Sequence, residues 1–78
     1  MMKKDLLKLI GVRIKELRAQ TGLSQENFAH SIGMARTYFA EVETGKRNVS
    51  IINLSRIAGG LGVSLETFFA SELFNNSQ

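Results

Sequence analysis

Arg36, Thr37, Tyr38 and Glu41 stand at the head and first turns of one short helical pattern, and Lys46, Arg47 and Asn48 follow just past its end. A guanidinium, a hydroxyl and a carboxylate so spaced are groups that hydrogen-bond the edges of bases in a DNA groove, and a basic loop beside them suits phosphates. The expected base contacts are Arg36 to a guanine, Thr37 to a thymine methyl or base edge, and Glu41 to a cytosine amino group. Each has a plainer role beside it: Arg36 on a phosphate, Thr37 as a helix cap, Glu41 as a partner that orients Arg36. Tyr38 is expected against the sugar-phosphate backbone, with simple packing as the other role. Gln25, Lys46, Arg47, Asn48 and Ser50 complete the expected backbone contacts, with the free N–H groups that open the preceding helix.

Other chemistries lack their groups. His30 is the single His, Asp5 the single Asp, and Cys is absent, so neither a serine or cysteine triad nor a zinc site assembles within one chain. No Gly-rich phosphate loop of the usual spacing occurs, since Gly59, Gly60 and Gly62 close a helical pattern. An enzyme is not expected, nor a metal, a cofactor or a small-molecule ligand, and His30 reads as an exposed residue. The absence of Cys fits a reducing, cytoplasmic compartment. No apolar run approaches the ~20 residues of a membrane span. Lys3, Lys4 and the LLKLIGV after them loosely mimic a signal peptide, but Lys8 and Arg13 interrupt the apolar region.

The elements that must position these groups are all helical. A chain of 78 residues has room for one small core, here a single domain over residues 1–78 with its core at about 6–74. Leu7, Ile10, Ile14 and Leu17 recur at helical spacing over residues 5–20. Their place in the core leaves membrane-surface binding by this helix a poor alternative. Gly11 inside it weakens the helix by roughly 1 kcal/mol relative to Ala, which suggests close packing instead. Ser24 caps a second helix at residues 25–32, with Leu23 and Phe28 as a hydrophobic staple and Phe28, Ala29 and Ile32 as its inner stripe. Gly33 turns the chain into a third helix, residues 35–44, burying Phe39 and Val42. Ser50 opens a fourth at 51–61, with Leu54, Ile57, Ala58 and Leu61 inward. Ser64 opens a fifth, carrying Leu65, Phe68, Phe69, Leu73 and Phe74, and residues 75–78 are expected to fray.

Charge is distributed unevenly. All ten Lys and Arg lie between Lys3 and Arg56, whereas Glu66 and Glu72 are the only charged residues after Arg56. A basic body with an acidic end suggests one face for a polyanion and another for a different partner. Three of the five Phe fall between Phe68 and Phe74, more aromatic surface than a short terminal helix buries. A two-fold homodimer through Leu65, Phe68, Phe69, Leu73 and Phe74 is therefore expected, with packing of all three Phe inside one monomer as the other reading.

Together the segments IGVRIKELR, LSQENFA, EVETGKR and SIINLSRIAGGLGVSLETFF resemble the lambda-repressor-like helix-turn-helix family, the class of the Cro and phage repressor DNA-binding domains. The resemblance runs from about Leu9 to Phe69 and implies a compact five-helix fold with the helix-turn-helix at helices two and three. It also implies an ion pair between Arg18 and Glu43, joining helix one to the end of helix three. Within the family, RTYFAEVETGKRNVS is most similar to the controller proteins of restriction-modification systems. That likeness implies a sequence-specific regulator of double-stranded DNA that binds its own promoter region as a homodimer, activating at low occupancy and repressing at higher. RNA polymerase is then a candidate partner, met by Glu26 or a neighbour on helix two. A phage-type or chromosomal repressor, or an antitoxin whose C-terminal helix grips a toxin, are the alternatives.

Overall fold

The computed structural model describes residues 2–75, the side chain of Lys4 excepted, so most of the stretch expected to fray lies outside the described residues. The chain forms α1 (Lys3–Thr21), α2 (Gln25–Ser31), α3 (Arg36–Glu43), α4 (Ile51–Gly60), α5 (Leu65–Phe69) and a 3₁₀ turn, Glu72–Phe74, with no strand among the described residues. Three of the helices start in the same way. The hydroxyls of Ser24, Ser50 and Ser64 accept hydrogen bonds from the backbone N–H groups of Asn27, Asn53 and Thr67 at 3.0 to 3.1 Å, which satisfies donors that a helix start otherwise leaves unpaired. α3 begins without such help: Ala35 is its cap and offers no side-chain bond.

The turn between α2 and α3 closes through two backbone bonds, Gly33 N–H to the His30 carbonyl at 3.0 Å and Met34 N–H to the Ala29 carbonyl at 2.9 Å. This double closure requires a left-handed residue between the two helices, and Gly33 supplies it with φ of 66°. The same pair of bonds ends α3, from Gly45 to Val42 and from Lys46 to Glu41. The consequence is geometric. The turn swings Met34 back onto the core, where it is buried, and fixes the direction in which α3 sets out.

Ile10, Ile14, Leu17, Phe28, Ala29, Phe39, Val42, Leu54, Ile57, Ala58 and Phe68 join Met34 in one cluster. Leu7 and Leu61 are only half-buried, and Leu23, the expected outer half of a staple, is 39% exposed. Phe28 and Phe39 pack with tilted rings at 5.1 Å between ring centres, locking α2 to α3. Gly11 has the role its position suggested: a Cβ there would collide with the Glu43 carbonyl oxygen and lie 2.8 Å from its carbonyl carbon. α1 thus rests directly on the last turn of α3. Gly60 does likewise against α2, where an added Cβ would collide with Cγ2 of Ile32 and stand 3.1 Å from the Phe28 ring.

The C-terminal segment departs from expectation. α5 stops at Phe69, and Ser71 opens a separate turn by accepting from the Leu73 N–H at 3.1 Å. Phe68 is wholly buried inside the protomer, so its expected place on a dimer face is corrected: a ring enclosed by its own chain presents nothing to a partner. Phe69 and Phe74 pack edge-on at 4.9 Å above it, leaving Phe69 36% exposed.

Candidate nucleic-acid interface

α3 presents one side to the core and the other to solvent. Phe39 and Val42 face inward, whereas Arg36 and Thr37 are exposed and Ala40 and Glu41 are half-buried. Arg36, Thr37, Ala40, Glu41, Thr44 and Lys46 line a single shallow depression, so the expected base-reading residues and one basic loop residue share a surface. Thr37 sits within the first turn of the helix, not at its cap, which removes the capping role considered for it.

Arginine is the group most suited to this work, and the chain has five. Arg13 donates to the Phe68 and Thr67 carbonyls at 2.7 and 2.9 Å. Arg18 pairs with Glu43, Arg47 with Glu41, and Arg56 donates to the Ile32 and Gly33 carbonyls at 2.7 and 3.1 Å. Arg36 alone is left uncommitted among the described residues. An exposed guanidinium with no internal partner, held at a helix start, is free to meet an external acceptor.

The support behind α3 is a buried carboxylate. Glu43 is 4% exposed and accepts from Arg18 Nε at 2.7 Å, from Arg18 Nη2 at 3.1 Å, and from Gln25 Nε2 at 2.6 Å. Arg18 also donates from Nη1 to the Leu23 carbonyl at 2.9 Å. One cluster therefore fastens α1, the α2 entry and the end of α3. The hydrogen bonds that Arg18 donates to Glu43 push the Arg18 pKa above its ordinary value, against the opposing effect of partial burial. Gln25, expected on a phosphate, has thus committed one amide donor inside the fold and keeps only its remaining amide atoms for another contact.

Tyr38 takes the packing role weighed for it. Its half-buried ring packs against the core, and its hydroxyl accepts from Asn53 Nδ2 at 3.1 Å, which leaves the O–H itself able to donate. The Arg47 guanidinium lies 4.9 Å from the ring centre and donates to Glu41 Oε1 at 2.8 Å. Glu41 is therefore engaged with Arg47, and the role of orienting Arg36 falls away. Lys46, Asn48 and Ser50 are exposed. The Ser50 oxygen accepts the cap bond and keeps its own O–H available.

Asn53 and Arg56 carry no signal in local sequence, yet they bridge α4 to the rest. Arg56 Nη1 donates to Asn53 Oδ1 at 3.1 Å, so α4 holds both Tyr38 and the turn at Gly33. Their partners lie 15 to 24 residues away, beyond the reach of any spacing rule.

Two short helices joined by a left-handed turn, the second open to solvent along its first residues and backed by α1 and α4, form a helix-turn-helix unit. The chain belongs to the helix-turn-helix family, whose profile matches residues 14–68, and it is a DNA-binding transcription regulator. It is 46% identical over 67 residues to the control protein C.MunI of Mycoplasma sp, covering 85% of this chain and 90% of that one. The crystal structure of the restriction-modification controller protein C.AhdI from Aeromonas hydrophila superposes with a TM-score of 0.76 at 41% identity, covering 81% of this chain and 96% of that one. The restriction-modification controller protein C.Esp1396I, solved as a tetramer in complex with its natural 35 base-pair operator, gives a TM-score of 0.80 at 36% identity, with 90% and 91% covered. None of the described helices is long and apolar enough to cross a membrane.

Proposed function

We propose that the chain is a restriction-modification controller: a cytoplasmic homodimer that reads a two-half-site operator in duplex DNA and sets transcription from it. The observation that carries this reading is Arg36, the one uncommitted arginine among the described residues, on a depression shared with Thr37 and Lys46. Arg36 and Thr37 meet base edges in the major groove. Tyr38, Lys46, Arg47, Asn48, Ser50 and the free atoms of Gln25 meet the backbone. The likeness to C.MunI, C.AhdI and the operator-bound C.Esp1396I supports the controller role.

An eight-residue recognition helix reads only a few base pairs, so two copies about one helical turn apart, ~34 Å, supply the remaining specificity. Phe69, exposed at 36%, and the half-buried Leu65, Leu73 and Phe74 form the face for that pairing. RNA polymerase is the further partner when the bound dimer activates.

Selection of bound duplexes from a random pool, with the mass measured in solution, tests the whole reading. Two related half-sites one turn apart and a dimeric mass are the expected result. If ~6 to 10 phosphates are neutralised, affinity falls ~10³- to 10⁵-fold between about 50 and 200 mM salt. A pool that yields no preferred sequence, or a monomeric mass at high micromolar concentration, overturns it.

A further inference from the structure

The pair formed by Glu41 and Arg47 has no evident structural purpose. Their side chains are 41% and 52% exposed, and an ion pair so open to water contributes little to folding. Its location is unfavourable for a surface that receives a polyanion. Glu41 lines the same depression as Arg36 and Thr37, and DNA phosphates received there would repel its carboxylate. Meanwhile Arg47, in the loop after α3, is held at 2.8 Å by that carboxylate and laid 4.9 Å from the centre of the Tyr38 ring.

We infer that Glu41 is a specificity-determining residue that acts by occupying Arg47. In the free protein the carboxylate stands where a phosphate oxygen would stand, and the Tyr38 ring supplies the second side of the holder. A duplex of arbitrary sequence gains little by displacing it. One anion replaces another on the guanidinium, and Glu41 is left unpaired beside the phosphates. On the operator, the base contacts of Arg36 and Thr37 seat α3 deeply enough to force the exchange. Arg47 then turns to the backbone, so its contribution counts only where the sequence is right. This inference rests on the DNA-reading role of α3.

The test is a double-mutant cycle in DNA affinity. Wild type, Glu41→Gln, Arg47→Ala and the double variant are titrated into a labelled random-sequence duplex and into the selected operator across a range of salt. Glu41→Gln is expected to tighten random-duplex binding about two- to fivefold, the scale of an exposed pair. It should also steepen the salt dependence by about one phosphate per protomer. In the Arg47→Ala background the same substitution should give no such gain. An equal gain in that background makes Glu41 a mere source of repulsion and overturns the inference. Unchanged random-duplex affinity overturns it too, whether or not operator binding falls at a single base position, which would make Glu41 a base reader. If the wild type binds neither duplex at low salt, the DNA-reading role has failed and the inference falls with it.

Discussion

Arg18 grips Glu43 with two nitrogens, Nε at 2.7 Å from one carboxylate oxygen and Nη2 at 3.1 Å from the other. The Glu43 side chain is fully enclosed while that of Arg18 is 16% exposed, so the geometry is bidentate, the stronger arrangement for a guanidinium and a carboxylate. In Arg18→Ala, Glu43 would keep Gln25 as its sole side-chain donor and be left as a buried charge without a counter-ion. Stability should fall by about 3 to 5 kcal/mol, measured by urea denaturation. A joint Arg18→Met, Glu43→Leu variant should recover most of the loss, because it strands no charge. Since the Arg18 pKa is raised, its side of the pair contributes fully below the unfolded value and is lost only as pH rises through the folded one. Titration of Arg18 therefore leaves stability unchanged across neutral pH.

Two glycines in helices should respond in opposite directions to the same change. Gly11→Ala places a methyl group against the Glu43 carbonyl, backbone that is unable to swing aside. Overpacking of about 1 to 3 kcal/mol then exceeds the roughly 1 kcal/mol gained in helix propensity, and α3 is pushed from α1. Gly59→Ala meets nothing within 4 Å and should stabilise by about 0.5 to 1 kcal/mol. A thermal midpoint of Gly11→Ala that rose alongside that of Gly59→Ala would show that the α1 and α3 backbones do not touch as described.

The contrast between these glycines marks what the sequence makes legible. Caps are local: Ser24, Ser50 and Ser64 each bond an N–H three residues on, and so all three helix starts are readable from the chain. Ser71 gives a similar signal at the turn before Leu73, just past the end of α5 at Phe69. The division of the aromatic cluster is a different matter. Phe68 is buried and its neighbour Phe69 exposed because a helix only five residues long has one narrow inner stripe, whose direction is set by the Arg13 bonds to the Phe68 and Thr67 carbonyls. Bonds of that kind span most of the chain. Gln25 with Glu43 and Arg56 with the turn reach across shorter separations, 18 and 24 residues, and for these too no periodicity exists to be read.

Arg56 offers a prediction about the turn itself. Its Nη2 donates to both the Ile32 and Gly33 carbonyls, at an exposed site where a charged hydrogen bond is partly screened. Arg56→Ala should lower global stability by only about 1 kcal/mol. It should nonetheless speed amide hydrogen exchange at Gly33 and Met34, because the two backbone bonds that close the turn lose their outer brace. DNA affinity should fall with no change in the preferred sequence, since α3 is loosened and its reading residues are intact. A shifted preference measured by pool selection would instead place Arg56 at the bases.

Arg36 is the sharpest case, because its removal separates folding from reading. No internal ion pair or side-chain hydrogen bond involves it among the described residues, and it begins α3 beyond a cap that contributes no side-chain bond. Arg36→Ala should therefore leave the melting curve within about 0.5 kcal/mol of wild type, the usual range for a surface change. The effect on DNA should be large and local. Discrimination at one base pair of each half-site should drop by ~1 to 3 kcal/mol, while affinity for random duplex falls only by the loss of one charge. Arg36→Lys restores the charge without the planar fork and should recover random-duplex binding but not the discrimination. Full discrimination by the Lys variant would assign Arg36 to a phosphate and leave Thr37 or Glu41 to read the base.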